Sequence, residues 1–503
     1  MEDRTRTNVI VNIVRTVVLT LLSFITFPWV CRYLGASQVG IYTWANTFVM
    51  YFLILAKIGI PNLAIRECVK VRDDKEKLSN KVQTFFLIQL VMTVISFGLM
   101  TAIVFSVPAL RNTNEIIFLL SINFLSGAFS FEWLYIALEK QFYMAVRSIV
   151  TLTLSAILIV VFVTTPSDIY IYALITTSLT LVTAISNLIF SRKYISLRKT
   201  MPYSIKEYIK PLLVIGSIAL VISFYNQTDT LILGFIDESK NSVASYSVGI
   251  KGIDVVIGVI TSLSTVFIPR AAICYAQEDK KYFNRLNAYS INICLFVTIA
   301  AVATMTALAK PITGLISGNY TFTNSADYID APIVLMILCS MMLTYTISDI
   351  IYGQILLPTK KEKYYLIALV SGTLLNIVLS IVLGAVVFKE HPAIGVAIGT
   401  AVTDLLVLIF LVSISWKWIK TALFNKNNLK LLILGLIITG ASLLLGSPIY
   451  NLAYKINESA SLSLVIELLV VVLIDAIIYI GGLLILKEDL VCSVFRRKAK
   501  KDE

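Results

Sequence analysis

Residues 246–256 read YSVGIKGIDVV, within an apolar stretch from Val243 to Ile268 that is long enough to cross a bilayer. Lys251 and Asp254 stand near its middle, where a charged side chain in lipid costs roughly 2.5–3.5 kcal/mol. Something must neutralise that pair or use it. The whole chain supplies the setting. Of its 503 residues 58% are hydrophobic and only 14% charged, too little charge to cover a soluble domain of this length. Continuous apolar runs of about 20 residues or more favour helices over a barrel of alternating strands. The chain reads as an all-α polytopic membrane protein. Its first apolar segment is too long for a cleavable signal peptide and lacks a small-residue cleavage site.

Fourteen transmembrane helices are predicted, near 8–31, 40–60, 82–107, 115–138, 145–165, 168–190, 209–236, 241–269, 286–309, 331–357, 364–388, 393–416, 429–447 and 462–486. Most separators hold charge, Pro or Asn/Asp clusters, as where a chain meets water. With the N-terminus inside, alternate assignment places 33 of the 42 lysines and arginines on the cytoplasmic side. Six fall outside (Arg32, Arg111, Lys240, Lys310, Lys389, Lys455), and Arg15, Lys57 and Lys251 fall within spans. That bias puts both termini in the cytoplasm and supports an even helix count.

The inside loops RECVKVRDDKEKLSNK (66–81) and SRKYISLRKT (191–200) and the tail FRRKAKK (495–501) would suggest nucleic acid in a soluble protein. Between membrane helices they are topology determinants that face anionic lipid headgroups, and no nucleic-acid partner is expected. Cys31, Cys68, Cys274, Cys294, Cys339 and Cys492 have no metal-ligand spacing and read as isolated thiols. His391, in the KEHP connection, reads as a solvated loop residue. No metal or cofactor is expected.

The basic loop at 191–208 divides the first twelve helices into six and six, two halves of equal topology related by an axis along the membrane normal. A faint internal echo agrees: IYTWANTFVMYFLILAKIGIPNLAIRE (41–67) parallels SYSVGIKGIDVVIGVITSLSTVFIPRAA (245–272). Each opens near a tyrosine and closes on IP followed by Arg66 or Arg270. The expected organisation is an N-terminal six-helix lobe (1–200), a C-terminal six-helix lobe (201–420), and two further helices with a basic tail (421–503).

NIVRTVVLTLLSFITFPWVCRYLGASQVGIYTWANTFVMYFLILAKIGIPNLAIREC followed by VRDDKEKLS resembles the N-terminal region of Wzx-type oligosaccharide flippases. The YLG…VGIYTWANT element and the GIP…IRE turn are its most specific parts, and QTDTLILGFI and FIPRAA are similar to that family too. The resemblance implies the multidrug/oligosaccharidyl-lipid/polysaccharide exporter fold, two six-helix lobes around a central V-shaped cavity. It also implies movement of undecaprenyl-diphosphate-linked oligosaccharide repeat units to the outer leaflet of a bacterial cytoplasmic membrane, for capsule, exopolysaccharide or O-antigen assembly. A proton or sodium coupling ion, a polysaccharide polymerase and chain-length machinery are the partners it suggests.

A diphosphate and a hydrated sugar chain cannot cross hydrocarbon unaided, so their path needs cationic and hydrogen-bonding walls. Arg15 lies about 10 Å into the first helix. Lys57 is near the inside end of the second, where snorkelling competes with a cavity role. Lys251 is too central to snorkel easily. These three, with Asn46, are the substrate-cavity candidates. Asp254 follows Lys251 by three residues and shares its face. It either makes a buried cation tolerable or exchanges partners during transport. Asp229 ends the polar run FYNQTD inside the seventh helix and is the candidate cation or proton site.

Asp349, Asp404 and Asp475 are further intramembrane acids, and Asp475 either bonds its helix to a neighbour or lines a groove. Glu132 and Glu467 lie nearer helix ends, and Asn123 and Asn376 read as interhelical amides. Trp29, Tyr33, Tyr42 and Trp44 at the outer ends of the first two helices read as interface anchors, with stacking on a sugar the alternative.

There is no phosphate-binding loop, zinc spacing or nucleophile-elbow motif, so nothing marks an ATPase or hydrolase. A membrane glycan polymerase would need substantial external loops, and no external connection exceeds about 20 residues. A multidrug exporter of the same superfamily should have a more apolar or acidic site than one with three intramembrane cations.

Overall fold

The computed structural model describes residues 2–196, 198, 202–203, 205–320 and 327–488, with side chains for Val11 and from Arg15 onward. The tail FRRKAKK, Cys492 and part of the 191–208 loop lie outside these residues. All regular structure among the described residues is helical. Among the described residues thirteen segments are long and apolar enough to cross a membrane. The first, Arg15–Val69, contains two predicted spans, because α1 (Glu2–Lys57) breaks at Gly35. Its φ of 76° and ψ of 170° belong to a region open essentially to glycine alone. With that break, the thirteen segments are roughly consistent with the fourteen predicted helices.

The chain forms two compact units, residues 1–243 and 244–503. The first holds α1, α2 (Ile60–Val69), α3 (Lys75–Ser106), α4 (Asn114–Leu120), α5 (Asn123–Phe129), α6 (Glu132–Ala137), α7 (Gln141–Phe162), α8 (Ile169–Ser191) and α9 (Ile205–Ile236). α1 is its hub and packs on α3, α7 and α9. Trp44 is not an interface anchor: it is fully buried, its Nε1 donates to the Leu231 carbonyl at 3.1 Å, and its ring lies over Gly234. A large residue set against glycine lets α1 and α9 approach closely. Trp29 donates to the Val163 carbonyl at 3.0 Å, and Tyr42 shares a 3.1 Å hydrogen bond with Thr176, so these rings also join helices.

After α9 the chain turns through residues 237–240. The Asp237 carboxylate accepts from the Ser239 N–H at 2.9 Å, the Ser239 hydroxyl at 2.7 Å and the Ser242 N–H at 2.8 Å. Burial pushes this carboxyl up, but the Ser242 and Ser239 donors prevail and hold it below its ordinary value. A depressed native pKa stabilises the fold above the unfolded value, about pH 4, and that contribution disappears as pH falls through the native value. Asp237→Asn should therefore unfold at lower temperature than wild type at neutral pH, and thermal scans should show the gap closing in acid.

The fourth span was expected as one helix over 115–138 and is instead three pieces, α4, α5 and α6. Phe131, at the second break, has a φ of 45°. Broken backbone at membrane depth survives only where polar side chains replace the lost partners. Here Gln89 donates to the Gly127 carbonyl at 2.6 Å and Asn187 donates to that of Ser130.

The second unit holds most of α10 (Asn241–Ala276), then α11 (Lys280–Ala307), α12 (Ala309–Ser317), α13 (Ala331–Ile350), α14 (Glu362–Ile381), α15 (Pro392–Leu423), α16 (Lys426–Asn457) and α17 (Ala460–Ile485). The short α12 is a helix the sequence did not announce. α13 and α14 run on into π-helical turns at Ile351–Leu356 and Val382–Val387. Asp475 bonds its helix to neighbours: it accepts from Ser442 of α16 and Thr304 of α11, both at 2.7 Å. His391 is not merely solvated, since its Nδ1 meets Asp330 Oδ1 at 2.7 Å.

Candidate functional site

In the first unit the strongest constellation forms around the broken fourth span. Glu132 opens α6 directly after the break, and Arg147 sits in the second turn of α7. The Arg147 side chain is 6% exposed. Its Nη2 donates to Glu132 Oε1 at 2.6 Å and to the Ser148 hydroxyl at 3.2 Å, and its Nη1 donates to Asn187 Oδ1. The guanidinium also lies 5.9 Å from the Tyr143 ring centroid. Asn187, fully buried, passes the restraint on by donating to the Ser130 carbonyl. Arg147 thus holds the residue that holds the break.

Arg15, half-buried on α1, lies within electrostatic reach of both Glu132 and Arg147. Its buried Nε has no hydrogen-bond partner among the described residues, and neither has the Nε of Arg147. One carboxylate, 45% exposed, is thus ion-paired to Arg147 and within electrostatic reach of a second guanidinium, Arg15. Such a net-positive site, set among apolar helices, suits an anion that can displace the carboxylate. Sequence reasoning counted Arg147 with the inside-loop charges and missed it. The available signal was its place in YMAVRSIV, with apolar residues on both sides.

The other candidates of this unit lie elsewhere. Lys57 is exposed at the end of α1, its side chain running toward Gly127 of α5. Asn46 is half-exposed on α1. The polar run in α9 points in several directions, as four consecutive helical residues must: Asn226 is exposed, while Thr228 and Asp229 are buried. Asp229 is within electrostatic reach of Tyr51 on α1, whose hydroxyl meets Thr228 Oγ1 at 3.4 Å.

In the second unit Lys251 and Asp254 do share one face of α10, with Nζ to Oδ2 at 3.4 Å. Their side chains are 41% and 46% exposed, so the pair is accessible and loosely held. Gly249 and Gly252 press α10 onto Val334, Leu335 and Leu338 of α13, which turns Lys251 and Asp254 away from that helix.

Residues 5–274 match the family model described as "Polysaccharide biosynthesis protein". The chain belongs to the polysaccharide biosynthesis protein family. This polysaccharide biosynthesis protein also matches the MatE model over residues 214–382, so that α15, α16 and α17 lie beyond both models. A relative from Escherichia coli (strain K12), described as "Putative O-antigen transporter", is 25% identical over 394 residues, 77% of this chain and 91% of the relative. The lipid II flippase MurJ in its inward closed conformation shares the fold with a TM-score of 0.66 at 19% identity, over 95% of this chain and all (100%) of MurJ. An inward-facing multidrug resistance MATE family transporter of the MOP superfamily gives a TM-score of 0.57 at 16% identity, over 80% of this chain and 96% of its own. The polysaccharide biosynthesis protein is accordingly a multi-pass membrane protein with the fold of MOP-superfamily transporters.

Proposed function

We propose that this protein flips an undecaprenyl-diphosphate-linked oligosaccharide repeat unit from the inner to the outer leaflet of a bacterial cytoplasmic membrane. The observation that carries this reading is the net-positive cluster of Arg15 and Arg147 around a displaceable Glu132, in a member of a polysaccharide biosynthesis family. A diphosphate supplies the anionic oxygens that the two buried Nε groups lack, while the lipid tail needs no polar wall. Lys57 and Asn46 are further polar groups of the first unit, and within the second unit Asp254 releases Lys251 when an anion arrives. The basic loops and both termini face the cytoplasm, where attraction to anionic headgroups orients the chain. Transport proceeds by alternating access driven by an ion gradient, with Asp229 as one acid available to it. The work is transport, without a covalent step.

Arg15→Ala and Lys251→Ala should each reduce repeat-unit export by about 10- to 100-fold, the worth of a charge-assisted hydrogen bond in a dry site. Export would be followed by surface glycan in cells lacking the wild-type chain, with insertion checked by membrane fractionation. Normal export by both inserted variants would remove the cationic assignment. Loss of the wild-type chain should also leave a lipid-linked glycan accumulating on the inner leaflet.

A further inference from the structure

At one end of the second unit the sequence concentrates cationic and aromatic side chains. α15 nears its end on WKWIK (416–420), α14 opens just after Lys361, and α11 begins at Lys280 after the short connection 277–279 from α10. Lys361 Nζ stands 4.8 Å from the Trp418 ring centroid, and Lys420 Nζ stands 5.9 Å from that of Trp416. Trp418 in turn packs against a buried cluster that includes Phe267, Cys274 and Phe283. Against this apolar floor lies a cavity of about 450 Å³, within the range of about 300–1,000 Å³ usual for ligand sites. Lys280, Lys417 and Asn284 line it, and Glu278 is the one carboxylate on its wall among the described residues.

Two features of this cavity call for a ligand. Neither Lys280 nor Lys417 has a carboxylate within ion-pair distance among the described residues. The buried Asn284 Oδ1 has no hydrogen-bond partner there either, and a bare buried acceptor is the exception in folded proteins. We propose that the cavity holds the headgroup of a phosphatidylglycerol molecule, with Lys280 and Lys417 on the phosphodiester and Asn284 accepting from a glycerol hydroxyl. Two ammonium groups against one carboxylate select a net anion over a zwitterionic headgroup. The bare acceptor selects a headgroup that carries hydroxyls over a simple phosphate, and Glu278 accepts from the second hydroxyl. The rim selects a lipid: Ile273 and Tyr275 of α10 and Trp416 of α15 are exposed and give the acyl chains an apolar wall. Lys361 and Lys420, held over the indole rings, add positive potential beside the cavity.

That the lipid belongs to the inner leaflet rests on the orientation proposed above, but its binding depends on no cargo. The experiment titrates the full chain in detergent with dioctanoyl phosphatidylglycerol, dioctanoyl phosphatidylcholine or glycerol phosphate. Native mass spectrometry counts bound lipid, and thermal unfolding follows affinity. Wild type should bind phosphatidylglycerol saturably, at least about tenfold more tightly than phosphatidylcholine, and unfold at higher temperature with it. Lys280 and Lys417 are exposed, so a variant carrying Lys280→Gln and Lys417→Gln should keep the fold and lose about tenfold or more in affinity. Lys193→Gln, at an exposed position of the first unit, should bind as wild type does. Asn284→Leu should weaken phosphatidylglycerol about tenfold and leave dioctanoyl phosphatidic acid, which has no headgroup hydroxyl of this kind, unchanged.

Equal binding of phosphatidylglycerol and phosphatidylcholine, or unchanged binding in the double lysine variant, overturns the site. Glycerol phosphate that binds as tightly as the lipid overturns the lipid in favour of a soluble phosphate ester. Equal losses of phosphatidylglycerol and phosphatidic acid in Asn284→Leu overturn the hydroxyl contact. A chain that exports glycan yet binds no phosphatidylglycerol defeats only this inference. One that binds it but exports none defeats only the flippase reading.

Discussion

Arg147→Ala should unfold at a clearly lower temperature than wild type and should lose glycan export even where it inserts. The guanidinium satisfies Asn187 Oδ1 and Glu132 Oε1 and lies against the Tyr143 ring. Its removal leaves a fully buried amide oxygen only the long 3.4 Å hydrogen bond from the Tyr143 hydroxyl, a loss of about 1–3 kcal/mol. Glu132 is half-exposed and recovers hydration, so the broken ion pair adds less than the 3–5 kcal/mol typical of a fully buried one. A total on the order of 2–4 kcal/mol is expected. The consequence reaches further than stability, because Asn187 loses the restraint that aims it at Ser130 and the break before α6 loosens. Arg147→Lys keeps the charge but not the planar fork, and should fall between the two. Thermal unfolding alongside an export assay makes the comparison. An alanine variant as stable and active as wild type would show that Arg147 does not hold the break.

Gly40→Ala should be the most damaging small substitution in the first unit. A Cβ there would lie 1.9 Å from the Lys240 carbonyl oxygen and 2.7 Å from its carbonyl carbon. That backbone cannot swing aside. The Lys240 Nζ donates to the carbonyls of Gly234 and Asp237 and stands 4.7 Å from the Trp44 ring centroid. Burial pushes its ammonium pKa down against the opposing pull of Asp237 and Glu238, a sign of how enclosed the corner is. Overpacking of this kind costs about 1–3 kcal/mol and sometimes more. Gly98→Ala and Gly258→Ala are the controls, since a Cβ at either meets nothing within 4 Å. Both should fold as well as wild type, and a helix-interior alanine gains up to about 1 kcal/mol over glycine. Yield of monodisperse protein and its unfolding temperature are the readouts. Equal behaviour of all three variants would refute the close approach at residue 40.

What was legible depended on how local each feature is. The Lys251–Asp254 pair could be read ahead of the structure because three residues on one helix share a face whatever surrounds them. The spread of NQTD to several sides of α9 was legible for the same reason. Trp44 was misread as an anchor because its partners, Leu231 and Gly234, lie nearly two hundred residues away. Arg147 escaped notice because its six-residue distance from the start of α7 looks like a loop margin, until Glu132 and Asn187 close around it. The break in the fourth span was invisible to hydropathy, which averages over some twenty residues and cannot register one peptide at φ 45°.

The sequence by itself determined that the chain is helical, multi-pass in the membrane, and rich in positive charge between its apolar segments. Those properties follow from transfer free energies summed along one segment at a time. Tertiary structure alone decided which polar groups meet: Arg147 with Asn187 and Glu132, Asp475 with Ser442 and Thr304, Gln354 with Ser264 and Ser290. Those meetings depend on the register of helices packed side by side, where a shift of one residue turns a side chain by about 100° and replaces its partner.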